Sequence, residues 1–284
     1  MPTPTLRILL KDNIHPDADA MRLCIDAGVN HLGLSLHLVE DNSMIGYEFY
    51  SFPDTRNNGT DMSSVLMDSP LAAIRVGRVN IVFNTPETVL VPDELYRAGL
   101  ADAYMETVHG DLTTGTTLIQ EHLDAESAWN LYRIPLWLLQ EFNLRYRQAQ
   151  HCHILTQMLN YVRQRSEQLP KSCLHLWFYP GKVLALLMKS SRVMLLQAIP
   201  YEIPEDLAYA VLNACERYGM DPMDIPILVS GLIETDSIVY NELLRYFPDV
   251  TPDQGEVRFV QNDFFTSYPV HYFTPAFQIC TCAS

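Results

Sequence analysis

The sequence has few positive charges and no long apolar run, and both shortages narrow its possible functions. Lysine and arginine number 19 against 34 aspartates and glutamates, which gives a formal net charge of -15 and a pI near 4.9. A field of this sign repels a phosphate backbone or an anionic membrane surface. The apolar runs, of which 183–188 is typical, fall far short of the ~20 residues that cross a bilayer. We therefore expect neither nucleic acid nor membrane as a partner.

Export signals and a disulfide framework are also lacking. The first eleven residues contain no basic segment before their apolar piece and no small-residue cleavage site, so we expect a cytoplasmic protein. The six cysteines are scattered singly, apart from Cys280 and Cys282, unlike those of a small secreted fold. We expect six free thiols and no structural disulfide.

The composition is that of a globular protein, and the length indicates two domains. Hydrophobic residues make up 48% of the 284 residues and charged residues 19%, which is enough apolar surface for a sizeable core. The length favours two domains over one. A polar stretch with a proline, Ser166-Glu167-Gln168-Leu169-Pro170-Lys171, ends a predicted helix. We place the boundary there, which gives domains of residues 1–170 and 171–284.

A basic segment connects two acidic regions. The stretch 145–171 has a single acidic residue, Glu167, and five basic ones: Arg145, Arg147, Arg163, Arg165 and Lys171. This segment is either a docking patch for an acidic partner or a solvated helix face that balances its acidic neighbours.

The second half has the element order of a ribonuclease-H-like domain. Apolar runs at 173–179, 183–189 and 193–200 are separated by short turns, which is typical of an antiparallel meander. We then predict a helix, a strand, a helix and a strand, at 204–219, 225–230, 237–247 and 256–260. The order is β-β-β-α-β-α-β.

The first half repeats this order approximately. Strands are predicted at 31–39, 44–52, 79–83, 88–91, 130–134 and 150–153, and helices at 92–108, 135–146 and 155–164. A strand pair, then a helix, then alternating strands and helices therefore occurs twice. We infer a duplication at the level of the fold, although no residue-by-residue repeat is visible.

Short motifs carry a resemblance to a known family. They run in order along most of the chain and include Leu34-Ser35-Leu36 before an acidic turn, Thr88-Val89-Leu90-Val91-Pro92, Glu205-Asp206-Leu207-Ala208-Tyr209 and Val229-Ser230-Gly231. Together they resemble an uncharacterised Bacteroidetes domain family with an actin-like ATPase fold. The resemblance implies an α/β protein with mixed sheets, in which two ribonuclease-H-like domains adopt an actin-like ATPase arrangement around a cleft. It implies no particular reaction.

The resemblance also implies where nucleotide chemistry would lie. Active actin-like proteins carry an acidic residue followed by glycine in the first hairpin of each domain. We take the first hairpin as Leu34-Ser35-Leu36-His37-Leu38, whose turn has no glycine, and the second as Phe178-Tyr179-Pro180-Gly181-Lys182, which has no acid. Without these acids, Mg²⁺ lacks the hard oxygen ligands that position a nucleotide. The remaining cleft candidates are Gly181, Lys182, Ser230 and Gly231, and a tight hairpin turn explains the first two better than a phosphate site does.

Other motifs predict no catalytic residue, metal or cofactor. No Walker A sequence occurs, and no G-x-G-x-x-G opens a helix after a strand. On a strand, His151 and His153 share one face while Cys152 points to the other, so the three do not close on one ion. Cys280-Thr281-Cys282 lacks the spacing and the second pair of a zinc site.

The leading hypothesis is therefore a non-catalytic cytoplasmic protein of actin-like fold. It would act as a protein-binding or scaffold module with a degenerate nucleotide cleft. The alternative is an ATP-dependent enzyme, an ATPase or a small-molecule kinase, with an atypical phosphate site. The sequence leaves the partner and the oligomeric state open.

Overall fold

The chain forms two compact units. The computed structural model describes residues 3–9, 17–52, 58–111, 114–253, 255, 257–259 and 265–281. One unit comprises Met1–Gln157 with Ile279–Ser284, and the other comprises Met158–Gln278. The domain ranges 1–170 and 171–284 stay a prediction, because compactness does not test which segments fold alone. None of the helices that the structure describes is long and apolar enough to span a membrane.

The first unit contains a six-stranded sheet, a three-stranded sheet and four helices within the part that is described. Its elements are β1 Leu6–Ile8, β2 Met21–Gly28, β3 His31–Leu38, β4 Met44–Ser51, α1 Asn58–Asp68, β5 Arg78–Asn84, β6 Thr88–Pro92, α2 Ala101–His109, β7 Thr116–Leu123, β8 Ala128–Pro135, α3 Leu136–Arg145, β9 Gln150–His153 and α4 Ile154–Gln164, the last of which continues into the second unit. The large sheet has the order β1-β4-β3-β2-β5-β9 and the small one β6-β8-β7.

Strand β2 lies inside the large sheet, between β3 and β5, and is buried on both faces. Its apolar residues alternate with Arg22, Cys24 and Asp26, so one face is apolar and the other polar. All eight residues are buried. The strand pairs antiparallel with β3 and parallel with β5, which leaves its last residue, Gly28, beside Asn84.

The second unit is built on one five-stranded sheet. Its elements are β10 Cys173–Tyr179, β11 Lys182–Lys189, β12 Arg192–Pro200, α5 Pro204–Arg217, β13 Ile227–Gly231, α6 Ile238–Leu244, β14 Val250–Pro252 and α7 Thr274–Thr281, the last of which ends in the first unit. The strand order is β12-β11-β10-β13-β14. Helices α5 and α6 supply Leu207, Val211 and Leu243 to the core of this unit. Pro204 and two acids open α5, where the free amide groups and the helix dipole favour them.

Both large sheets share one topology. In each, three antiparallel strands are followed by two parallel ones on the far side of the first strand, giving β4-β3-β2-β5-β9 and β12-β11-β10-β13-β14. This confirms the duplicated α/β fold class predicted from the element order. The predicted short strand at 150–153 is present as β9, and the meander is present as β10 to β12.

Some predicted elements were wrong. The last strand lies at Val250–Pro252 rather than at 256–260, of which residues 256 and 260 lie outside the described residues. The helix predicted at 92–108 begins only at Ala101, because Pro92 ends β6 and its carbonyl accepts hydrogen bonds from a tight turn. The sequence reasoning also missed five elements: β1, β2, α1, β7 and α7.

The expectation of six free thiols was wrong as well. Cys24 in β2 and Cys280 in α7 form a disulfide, with their Cα atoms 5.7 Å apart, inside the ordinary range. The two cysteines are 256 residues apart in sequence, so local spacing could not reveal the pair. Cys152, Cys173 and Cys215 are free, and Cys282 lies outside the described residues.

Candidate functional site

The candidate site of the first unit lies at the carboxyl ends of two parallel strands. Asp26 is near the end of β2, and Asn84 ends the neighbouring strand β5. In open α/β sheets, ligands bind outside the carboxyl ends of the strands, so this position is where a site is expected. The turn that follows β2 leads directly into His31, the first residue of β3.

Three buried polar side chains form the centre of this site. The carboxylate of Asp26 lies 3.2 Å from Nε2 of His31 and accepts a hydrogen bond of 3.1 Å from Nδ2 of Asn84. The other ring nitrogen of His31 lies 3.1 Å from the side-chain oxygen of Asn30. The ring also stacks on Phe49 at 5.6 Å between centroids. These contacts fix the imidazole from several sides.

The His31 ring fills the space above Gly28. A Cβ atom built on Gly28 would lie 2.1 Å from Cε1 and 2.3 Å from Nδ1 of His31. Glycine is therefore required here by close approach of a side chain. A phosphate cannot approach the backbone at Gly28 from this direction while His31 keeps its place.

This arrangement corrects the position of the first hairpin. The strand at the centre of the sheet is β2, so the hairpin equivalent to the second unit's first hairpin is β2 and β3, not β3 and β4. Its residues Asp26-Ala27-Gly28 are an acid followed by glycine. The inference that both hairpins lack this pair was therefore wrong for the first unit. The alternation of apolar and polar residues from Met21 to Gly28 was the signal that could have found it.

The four cleft candidates of the second unit lie at one end of its sheet. Gly181 is in the turn between β10 and β11, Lys182 begins β11, and Ser230 and Gly231 end β13. Since β10 and β13 are parallel neighbours, with Phe178 beside Gly231, these residues are brought together. The turn Tyr179-Pro180-Gly181-Lys182 contains no carboxylate.

The two glycines of this group differ in their surroundings. Gly231 has φ +83° and its Cβ would lie 2.4 Å from the carbonyl oxygen of Phe178, so the fold itself requires this glycine. Gly181 has φ +70° with no atom within 4 Å of a Cβ. The ammonium group of Lys182, a largely buried residue, lies 5.9 Å from the centre of the Tyr179 ring. Ser230 is fully buried, and its hydroxyl has no hydrogen-bond partner within the described part of the chain.

The histidines of β9 have structural contacts. His153 is buried, its Nε2 donates a hydrogen bond of 3.0 Å to the carbonyl of Thr85, and its Nδ1 accepts one of 3.3 Å from the amide of Leu155. His151 packs its ring edge-on against Phe83. Both ring nitrogens of His153 thus serve the fold.

Glu121 is a half-buried carboxylate of β7 that holds the start of α4. It accepts hydrogen bonds from the hydroxyl of Thr156 at 2.8 Å and from the amide of His153 at 3.3 Å. Burial raises the pKa of Glu121, and these bonds oppose the shift. A carboxylate at a helix N-terminus satisfies free amide groups and the helix dipole, so its role is structural.

A cysteine, a histidine and an aspartate lie in line in the second unit. Sγ of Cys173 is 3.4 Å from Nε2 of His175, whose Nδ1 is 3.9 Å from the carboxylate of Asp253. Burial raises the pKa of Cys173 to about 12 and lowers the pKa of His175 to about 4. A nucleophilic cysteine needs the opposite shifts, because the thiolate is the reactive form. Burial therefore disfavours the thiolate form of Cys173 in this trio.

Asp253 instead binds two residues of α4. It accepts hydrogen bonds from Tyr161 and, at 2.8 Å, from Arg165, whose guanidinium also lies over the Tyr161 ring. Arg165 belongs to the basic segment 145–171, as does Arg145, which donates to the carbonyl of Leu66. Both arginines are thus engaged by the fold, which fits neither a free docking patch nor a fully solvated face at these positions.

A cavity of about 320 Å³ lies in the first unit beside β1 and α1. Arg7 lines it, but its Nε lies 2.6 Å from the fully buried carboxylate of Glu48 and its guanidinium also donates to Tyr50. Asp68 adds a further acid to the lining. The cavity thus has no excess positive charge with which to hold an anion.

Comparison with solved structures defines the class of protein as one with the actin-like ATPase fold. A protein of this fold and of unknown function from Bacteroides thetaiotaomicron VPI-5482 is 15% identical, with a TM-score of 0.73 over 84% of this chain and 94% of that one. The PilM-PilN type IV pilus biogenesis complex is 10% identical, with a TM-score of 0.54 over 93% and 97%. The ethanolamine utilization protein EutJ from Carboxydothermus hydrogenoformans is 8% identical, with a TM-score of 0.50 over 95% and 91%.

The chain belongs to the family described as Protein of unknown function (DUF3822), which it matches over residues 11–250. No curated protein was found to match the sequence. At these identities the structural likeness establishes the fold alone.

Proposed function

We propose that this protein acts by binding another protein and does not hydrolyse nucleotide. One observation carries the second part: in the first unit, the hairpin that carries Asp26 and Gly28 is filled by His31. The corresponding turn of the second unit has no carboxylate. A magnesium-bound triphosphate therefore finds one phosphate turn blocked and the other without a metal ligand.

An exposed strand edge supports the first part. β12 is nine residues long and, among the described residues, pairs only with β11. No charged residue follows Arg192 until Glu202, and Val193 and Met194 are 42% and 37% exposed. Exposed edges with apolar side chains offer backbone hydrogen bonds to an added strand.

The occupant that fits this edge is an extended segment of a different protein, with apolar residues at alternate positions and basic residues near one end. Three exposed acids, Glu202, Glu205 and Asp206, follow β12 and favour a basic neighbour. The net charge of -15 opposes a second copy of the chain at long range. The PilM-PilN complex is an instance of this fold in a protein complex.

The edge is tested with peptides selected on the parent protein from a random display library. We expect alternating apolar peptides with lysine or arginine at one end, and about tenfold weaker binding to Met194→Lys, which places a charge on the edge. The matched control is Ile238→Lys, since Ile238 is 78% exposed and belongs to α6, which is not part of the strand edge. Equal peptide binding by both variants contradicts the proposal. A dimer in sedimentation that Met194→Lys abolishes would instead place a second copy on β12.

A second candidate, an ATP-dependent enzyme, is favoured by the Asp26-Ala27-Gly28 turn and by the open space at Gly181. A ligand at 100 times its Kd stabilises a protein by about 2.7 kcal/mol, so a melting experiment with millimolar ATP and Mg²⁺ is a sensitive test. We expect no shift in Tm. A rise that Asp26→Asn or Lys182→Ala removes would place the enzyme first.

We also propose that the protein is cytoplasmic. Three of the cysteines that the structure describes are free thiols, as is usual where thioredoxin and glutathione act, and the proposal requires that the Cys24–Cys280 bond is either reduced there or one of the rare cytosolic disulfides. Fractionation of cells that express the tagged full chain tests this.

A further inference from the structure

We propose that Cys24, His37 and Cys280 bind one thiophilic divalent cation, of which Zn²⁺ is the common biological example, once the Cys24–Cys280 disulfide is reduced. The three side chains come from β2, β3 and α7 and are fully buried. Their ligand atoms all lie within 4.8 Å of one another. Zinc binds sulfur at about 2.3 Å and nitrogen at about 2.0–2.1 Å in a tetrahedron, so the ligand atoms of one ion lie about 3.5–3.8 Å apart. After reduction, the two sulfur atoms would have to separate to that distance, with the ring nitrogen of His37 already within 4.8 Å of both.

The protonation state of His37 suits a metal ligand. Its Nδ1 lies 3.0 Å from the carbonyl oxygen of Asn42. A carbonyl only accepts, so Nδ1 carries the proton and Nε2 carries the lone pair. Metal-binding histidines are typically oriented by a hydrogen bond of this kind.

A buried guanidinium group lies beside the two cysteines. Arg22, on the same face of β2 as Cys24, donates a hydrogen bond to the carbonyl oxygen of Cys280. It is 5% exposed, and within the described residues no carboxylate forms an ion pair with it. Two thiolates around a divalent cation carry no net charge, which suits a buried site.

The chemistry balances in two steps. A dithiol reductant gives two electrons and two protons to the disulfide, so the bond between the two sulfur atoms breaks, two thiols form, and the reductant closes to its own disulfide. The cation then displaces one proton from each thiol. Three protein ligands leave one of the four usual positions of zinc open.

The site is tested on the full chain with Co²⁺ as the probe. The protein is reduced, freed of reductant without oxygen, and titrated. We expect one equivalent of Co²⁺ to bind with a thiolate-to-metal absorption band in the near ultraviolet, and none to bind to the oxidised protein. A reduced protein that binds no Co²⁺, or an oxidised one that binds equally, overturns the proposal.

Variants assign the ligands. Cys24→Ser and Cys280→Ser should lose the band, and His37→Gln should bind about tenfold or more weakly. Cys152→Ser, which removes a free thiol of the same unit, should titrate like the parent. Full binding by the Cys24 or Cys280 variant overturns the assignment.

A measurement on the parent keeps the test valid if a variant fails to fold. The reduced protein is alkylated in mild urea with and without Zn²⁺, and the modified peptides are identified by mass spectrometry. We expect Zn²⁺ to slow alkylation of Cys24 and Cys280 about tenfold and to leave Cys152 unchanged. Equal rates at Cys24 and Cys280 with and without Zn²⁺ contradict the site.

Discussion

The imidazole of His31 lies directly above Gly28, at a distance that leaves no room for a Cβ atom. Both residues belong to the hairpin of β2 and β3, and the same imidazole reaches back to Asp26. The hairpin that would present its backbone to a phosphate is thus closed by a side chain of its own. The acid of the hairpin is present, but its partners are protein groups.

Gly28→Ala should destabilise the first unit by about 1–3 kcal/mol, because the buried His31 ring must shift to admit a methyl group. The free energy of unfolding in urea measures the loss. Gly99→Ala is the control, since a Cβ there has no atom within 4 Å, and it should change stability by about 0.5 kcal/mol or less. In the double variant Gly28→Ala with His31→Ala, the loss of stability should differ from the sum of the losses in the two single variants. A loss equal to that sum would contradict the contact between the two residues.

Acidification should destabilise the protein through His175. Burial lowers its pKa to about 4, whereas the unfolded chain takes up the proton near 6.5. The stability is therefore complete above pH 6.5 and is lost as the pH falls towards 4, by about 1.4 kcal/mol per unit. Urea unfolding at several pH values measures the slope.

His37 titrates in the same range and contributes in parent and variant alike. The difference between the parent and His175→Gln therefore isolates His175, and this variant should show the shallower slope. Identical slopes would mean that the folded protein does not lower the pKa of His175, so that His175 is protonated in the folded state over this range.

The two glycines of the second unit should respond differently to alanine. Gly231→Ala should cost several kcal/mol, because it combines an unfavourable φ of +83° with a clash against the carbonyl of Phe178. Gly181→Ala should cost only the strain of its positive φ, about 1–2 kcal/mol. Thermal melting of the two variants compares them, and a larger loss at Gly181 would contradict the structure.

Local pattern predicted much of the fold. The meander of β10 to β12 and the short strand β9 were found because apolar runs and tight turns report local structure. In strand β2, apolar residues alternate with Arg22, Cys24 and Asp26. Charged residues on a strand normally indicate that this face is exposed to solvent. Here a polar cluster buries them instead. The alternation of β2 was visible in the sequence, but its charged residues argued against a buried strand.

Local sequence patterns could not predict the candidate site. Asp26, His31 and Asn84 meet only because β5 pairs with β2 in a register that places Asn84 beside Gly28. Asp26 and Asn84 are 58 residues apart, and nothing in either segment specifies that register. The misplaced first hairpin then removed Asp26 from consideration.

The bond between Cys24 and Cys280 makes almost the whole chain a covalent ring. Because the two cysteines are 256 residues apart in sequence, one proteolytic cut at any point inside the ring leaves both fragments attached to each other. A pulling force applied on either side of the ring is carried by the disulfide and does not extend the segment inside it. Reduction of the disulfide opens the ring. A proteolytic cut then releases two separate fragments, and a pulling force then extends the segment between the two cysteines.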